Sequence, residues 1–323
     1  MHTFSAAAIE SRLALGPFDP KDAFLAAVSL YRDDPLFCVP ARARDILARR
    51  GADTPIVMLG RSDFGANFLH AIGQRARVLH VVDDFRTHRG EQFHGIDIIS
   101  TDRFLEMAKH DPDIVAVNAC RYDYSKRFFD DLCRTHAVPC LNFEQAVRAL
   151  GLNDTLDYRV ADWGATIAAR CDDYLKLAQR LGDPGSVETL YAVLTFHVTC
   201  NPEWYLNVAR PYPTLYFRSG LFSFGDKEKM VDCGASIGES TSALLGVTQG
   251  TYARSWMIEP DRINVATLRG FLRKYAGTPN EAKLSLHAVA VGEAPGEVPF
   301  QHLGTHGGAV LPASKAGACA PGD

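Results

Sequence analysis

Residues 229–241 read KMVDCGASIGEST. Val231 followed by the acid Asp232 marks the end of a buried strand. Gly234, Ala235, Ser236 and Gly238 then turn the chain with little side-chain bulk, so a ligand can approach the backbone. Ser240, Thr241 and Ser242 open an apolar run, Ala243 to Leu245, that starts a helix whose free amides point back at the contents of the loop. Strand, glycine loop and helix in that order form a nucleotide-type cofactor cradle, with Asp232, Gly234, Ala235, Ser236, Gly238 and Thr241 as the candidate binding positions.

The spacing Asp-x-Gly-x-x-x-Gly departs from the dinucleotide fingerprint Gly-x-Gly-x-x-Gly, whose backbone receives an anionic pyrophosphate. A carboxylate at that point suits a cationic ligand, and S-adenosylmethionine carries both a sulfonium and an ammonium group. A second strand, Ser255 to Ile258, ends in Glu259 within SWMIEPDRIN, where an acid accepts the two ribose hydroxyls. Pro260 and Asn264 of the same motif join it as cofactor neighbours. A third strand, Leu284 to Val291, ends in small residues before Gly292, so that Ala290 and Val291 border a flat adenine ring.

VDCGASIGEST, IEPDRIN and HAVAVGEAPGEV, in this order and at these separations, resemble the FkbM-type S-adenosylmethionine-dependent O-methyltransferases. Upstream, LGDPGSVETLYAVLTFHVT and LYFRSGLFSFGDKEKMVDCG are similar to the approach segment of members that occur with sugar and capsule biosynthesis enzymes. The resemblance runs from Leu181 to Val298. It implies a class I methyltransferase-like sheet, S-adenosylmethionine as cofactor, a hydroxyl acceptor on a sugar-like or secondary-metabolite molecule, and an aromatic approach, Tyr216 and Phe217, onto the cofactor face. Members of the family continue into a fourth strand with an Ile-Asp-Val-Glu-Gly-like motif, whereas here Phe300 is followed by QHLGTHGGAVLPASKAGACAPGD. That Gly-, Ala- and Pro-rich tail is expected to be loop or disorder. The second module is therefore expected to be truncated, to leave the strand before Asp232 with a bare edge that invites association between copies, and to transfer methyl groups only when completed. No catalytic base is identifiable.

Ahead of this module the pattern is also α/β. Residues 1–50 read as a helical leader in which Ala23, Phe24, Ala27, Val28 and Tyr31 share a face and Asp19 and Pro20 start the helix; a second helix, Ala41 to Arg50, stops at Gly51. Residues 51–150 alternate strands (Ile56 to Leu59, Val78 to Val82, Ile96 to Ile99, Ile114 to Ala119, Val138 to Leu141) with helices (Ala66 to Gly73, Asp102 to His110, Tyr124 to His136). The last helix is expected to bury Phe128, Phe129, Leu132 and Cys133 on one side. Alternation of this kind gives a parallel sheet covered on both faces, and these residues are expected to fold alone. They resemble the small Rossmann-type modules at the N-terminus of some sugar-modifying enzymes. Gly60 and Gly65 match the outer glycines of the fingerprint, Ser62 replaces the middle one, and Asp83 or Asp84 is placed to hold ribose hydroxyls, making a second nucleotide site; the alternative is a loop that only turns strand into helix. Residues 151–225 read as a helical connector, with helices at Asp162 to Leu181 and Val187 to Val198, and residues 226–323 as the partial methyltransferase module.

With 323 residues and 47% hydrophobic content the chain can bury substantial cores, and a net charge of -4 carries no nucleic-acid or membrane footprint. The N-terminal MHTFSAAAIESRLALG has no basic start and carries Glu10 and Arg12 within its apolar stretch, unlike a signal peptide. The 8 cysteines are scattered without a Cys-x-x-Cys pair, which points to free thiols in a cytoplasmic protein. His302 and His306 lie among glycines in a loop pattern, so no metal is expected. The expected fold is thus two Rossmann-like parallel-sheet modules joined by a helical connector. The expected function is methyl transfer to a small-molecule or saccharide acceptor. A non-catalytic nucleotide-binding scaffold and a nucleotide-sugar enzyme centred on the N-terminal module stand as alternatives.

Overall fold

The computed structural model describes residues 19–84, 90–153, 160–210, 216–217, 219–220, 222–302, 304 and 308–310. The expectations for residues 1–18 and for His306 fall outside them, as does the eighth cysteine, Cys319. The chain divides into two compact units, Met1–Ala209 and Arg210–Asp323.

The first unit opens with α1 (Pro20–Asp33). The Asp19 carboxylate accepts from the amides of Lys21 and Asp22, and Pro20 sits in the first turn, where a missing N–H costs nothing. Helix α2 (Ala41–Arg50) stops at Gly51, whose φ of 53° favours glycine. A sheet follows: β1 (Pro55–Leu59), α3 (Asp63–Ile72), β2 (Arg77–Val82), β3 (Gln92–Phe93), β4 (Ile96–Ile99), α4 (Thr101–His110), β5 (Val115–Asn118), α5 (Asp123–Thr135), β6 (Cys140–Asn142) and α6 (Phe143–Ala149). Its order is β3-β4-β2-β1-β5-β6, parallel except for β3 against β4, and the strand order reverses between β1 and β5. The antiparallel β3 was not foreseen, being only two residues long.

Every residue of β1 and β5 is buried, as a strand covered on both faces requires. Ile56 and Met58 point into one layer with Phe68 and Ile72 of α3, while Val57 and Leu59 point into the other with Phe104 of α4 and Phe129 and Cys133 of α5. Phe128, expected inside, is 46% exposed. Its neighbour Phe129 takes the sheet-facing position, and the helical turn carries Phe128 outward.

Beyond the sheet, α7 (Gly164–Ala169), α8 (Cys171–Ala178), α9 (Pro184–Thr199) and α10 (Glu203–Leu206) build a helical layer with α1. Phe24, Ala27, Val28 and Tyr31 pack there against Ile167, Tyr191, Leu194 and Trp204. The single helix expected from Asp162 to Leu181 is two, divided at Arg170. The leader and the connector helices therefore belong to the first unit because they share a core with each other.

The second unit holds β7 (Lys229–Cys233), α11 (Glu239–Thr248), β8 (Arg254–Ile258), α12 (Arg262–Arg273) and β9 (Leu284–His287), in a parallel sheet ordered β7-β8-β9. Both helices lie on the face that carries Met230 and Met257, packing through Leu244, Leu245 and Leu268. The opposite face leaves Val231 56% exposed, and β7 pairs with β8 alone among the described residues. The third strand stops at His287, four residues short of Val291. The tail, expected as loop or disorder, contains a hairpin of β10 (Phe300–Gln301) and β11 (Ala309–Val310); residues 311–323 fall outside the described residues. No helix among the described residues is long and apolar enough to cross a membrane.

Candidate functional site

The carboxyl ends of β7 and β8 carry the acids that the sequence singles out. The chain leaves β7 through Gly234 (φ 82°), Ser236 (φ 48°) and Gly238 (φ 95°), all in the left-handed region. The amides of Gly234 and Ala235 both donate to the carbonyl of Ile258, at 2.9 and 3.1 Å, so the loop folds over the end of β8. A Cβ at Gly234 would meet nothing within 4 Å, which leaves this side of the loop open. At Gly238, the N-cap of α11, a Cβ would press on Leu268 at 3.2 Å. The first glycine thus gives access and the last gives close helix packing.

Glu259 is 5% exposed, and its carboxylate clamps the loop. One oxygen accepts from the Ser236 amide at 2.7 Å and the other from the Asp261 amide at 2.8 Å. Each oxygen keeps a further lone pair. Asp232 is half-buried and accepts from the Thr241 hydroxyl at 3.3 Å. Burial raises its pKa, the Thr241 bond opposes the rise, and the charges of Glu239 and Glu259 add to it. Thr241 itself is fully buried and also meets the Ser255 hydroxyl, at 3.4 Å.

Glu239 is a site residue that the sequence reading passed over. It occupies the first turn of α11 and accepts from the Ile237 amide at 3.3 Å, so the chain's own carboxylate sits on the positive end of this helix. Its signal was its place directly after Gly238. Asp261 was missed as well. It is 1% exposed, caps α12 through the amides of Ile263 and Asn264, and accepts from the Gly304 amide at 3.0 Å. His302 accepts from the Arg262 amide at 3.1 Å, which ties the hairpin to the same helix end. Asn264 is 2% exposed within α12, and Pro260 is half-buried between Glu259 and Asp261. Ala290 and Val291 lie in irregular chain past β9. Phe217 packs on Phe224 with ring centroids 5.3 Å apart, beside Met230, whereas Tyr216 is exposed.

Three carboxylates, Asp232, Glu239 and Glu259, are thus grouped around one glycine loop. Their combined field attracts a cation and repels a phosphate.

The residues of the second candidate site serve the fold of the first unit. Gly60 has φ 85°, and a Cβ there would lie 2.4 Å from the Cys120 sulfur; at Gly65 it would lie 2.9 Å from the Met58 methyl. Ser62 caps α3 by accepting from the Gly65 amide and donates to the Ala119 carbonyl at 2.5 Å. Asp83 pairs with Arg61 at 3.2 Å, and Asp84 accepts from the amide and hydroxyl of Thr101 at the start of α4. Burial foremost, with the charge of Asp130, pushes the Cys120 thiol up to about 12, so it stays protonated beside this loop.

No family model matches the chain, and no curated protein does. Among solved structures it is similar to the crystal structure of methyltransferase FkbM from Methylobacillus flagellatus KT, with 54% sequence identity and a TM-score of 0.77 over 88% of this chain and 76% of that one. With that identity over that length, and with an acid-flanked glycine loop at the end of a parallel strand, the chain belongs to the FkbM methyltransferase family.

Proposed function

We propose that the methyl donor is S-adenosylmethionine and that the acceptor is a hydroxyl of a sugar-like or secondary-metabolite molecule. The observation that carries the donor is the grouping of Asp232, Glu239 and Glu259 around the glycine loop, at a strand end where a dinucleotide site would offer its amides to phosphate. S-adenosylmethionine, when bound, supplies an electrophilic methyl group on a positively charged sulfur. Asp232 and Glu239 balance the positive groups of such a ligand. Glu259 accepts from hydroxyls through its unused lone pairs while keeping its grip on Ser236 and Asp261. The open side of Gly234 admits the ligand against the backbone. Hydroxyl methylation then needs the acceptor oxygen held in line, which proximity and orientation supply.

Calorimetric titration with S-adenosylmethionine, NAD and a nucleotide sugar tests the donor. Binding of the first alone is the expected outcome. Glu259→Gln keeps one acceptor oxygen for the loop but removes the charge, and charge-assisted hydrogen bonds contribute about 1.5–3 kcal/mol each. Affinity should fall at least about tenfold. Equal binding by the variant, or binding of NAD in place of the sulfonium ligand, would sink the assignment.

A further inference from the structure

Far along the chain from the glycine loop, the first unit holds two cysteines that one helix brings together. Helix α6 begins with a capping box in which the Asn142 and Gln145 side chains and amides exchange hydrogen bonds. Each of these side chains also reaches out with its amide group: Asn142 donates to the carbonyl of Cys200 at 2.7 Å, and Gln145 donates to the carbonyl of Cys38 at 2.7 Å. One helical turn thus holds both cysteines, one from the loop after α1 and one from the end of α9. Both are buried in the same core cluster, and each thiol shifts the ionisation of the other. Cys200 adopts φ 54°, in the left-handed region that a non-glycine residue seldom occupies.

A cation completes the group. Arg148, a turn further along α6, donates to the Cys38 sulfur at 3.2 Å, to the carbonyls of Val198 and His197 at 2.6 and 2.7 Å, and to both oxygens of Asp162. The Tyr31 ring lies against its guanidinium, 4.9 Å from centroid to carbon. Every face of Arg148 is occupied, so it cannot swing away from the sulfur. The Cys200 hydrogen bond first, and then the Arg148 charge, hold the Cys38 thiol below its ordinary pKa against the opposing effect of burial. Cys200, donating that bond and buried, stays protonated. A sulfur of lowered pKa beside a fixed cation and next to a protonated thiol has the parts that two-electron oxidation of a dithiol requires.

We propose that Cys38 and Cys200 form an oxidation site at which hydrogen peroxide makes a Cys38–Cys200 disulfide, with Cys38 as the attacking sulfur. The Cys38 thiolate attacks one peroxide oxygen and the O–O bond breaks. The leaving hydroxide takes up the proton that Cys38 lost and departs as water, and Cys38 becomes a sulfenic acid. The Cys200 sulfur then attacks the Cys38 sulfur, the S–O bond breaks, and the departing hydroxide takes the Cys200 proton as a second water. Two thiols lose two electrons in total and one peroxide gains them. The product staples the loop after α1 to the end of α9.

The experiment uses the full chain in a Cys233→Ser background, which removes the one exposed thiol among the described residues of the second unit. After peroxide treatment and alkylation, a non-reducing digest should contain a Cys38–Cys200 linked peptide that dithiothreitol removes. The oxidised protein should melt roughly 5–15 °C higher, as a disulfide closing a long loop implies. With Cys200→Ser added, dimedone should label Cys38. With Cys38→Ser added, dimedone should leave Cys200 unlabelled. Recovery of Cys38 and Cys200 as separately alkylated thiols after peroxide, or a link from either to another cysteine, overturns the proposal. If a serine variant fails to fold, the peptide map of the Cys233→Ser parent decides by itself.

Discussion

Asp232 faces two opposite demands. Burial and the neighbouring carboxylates raise its pKa, so its folded value lies above its unfolded one. The folded state binds that proton more tightly, and the Asp232 contribution to stability grows as pH falls through the folded pKa and is lost as pH rises through it. Cofactor affinity moves the other way, because the protonated acid no longer balances a cation. As pH falls from neutral through the raised pKa, affinity for S-adenosylmethionine should decline, by at most about tenfold per unit once the group titrates. Calorimetry over this range checks it: Asp232→Asn should bind more weakly at neutral pH and lose this part of the pH dependence. An unchanged profile in the variant would assign the titration to another group.

At the scale of single elements, the joint between α12 and the hairpin hangs on Asp261. One side-chain oxygen caps the helix through Ile263 and Asn264 while the other holds the Gly304 amide. Asp261→Ala should destabilise the second unit by about 1–2 kcal/mol, the usual cost of losing an N-cap, and should speed amide exchange at Gly304 while leaving exchange in β8 unchanged. Those two readouts together separate a lost tether from general loosening. Much of this unit was legible in the chain: the strand–glycine–helix order, Asp232 and Glu259 at the strand ends, and the right face of α1 in the other unit all followed from periodicity and from the acid and glycine positions. The hairpin was not legible, because it is tied to partners 40 or more residues away, the Arg262 amide donating to His302 and the Asp261 carboxylate accepting from the Gly304 amide. Neither was the early end of β9, since the apolar alternation of HAVAV continues past His287 where no described neighbour pairs with it. Ser62 is the instructive middle case. Its hydroxyl caps α3 and joins two loops, a structural task that a fingerprint comparison cannot separate from a weakened phosphate site.

At the scale of the molecule, the sheet of the first unit shares its core with residues outside its sequence-derived limits. Its core includes Cys38, Val39, Ala43 and Ile46 from before residue 51, and Leu152, Val160 and Cys200 from after residue 150. A fragment of residues 51–150 loses those contacts, and each buried aliphatic side chain contributes about 1.5–3 kcal/mol. Such a fragment should melt broadly, whereas residues 19–209 should unfold in one cooperative transition followed by circular dichroism. A sharp melt for the short fragment would show that the flanking helices are dispensable. The capping box of α6 adds a matter of timing. Its two side chains close contacts at sequence separations of 107 and 58, to Cys38 and Cys200. Loops of that size are entropically costly to close before other structure shortens them. Prior collapse of the strands and helices between would shorten these loops, so docking of α1 and α9 is expected in the last phase of folding, and a nascent chain should not complete its first unit until Cys200 has been synthesised.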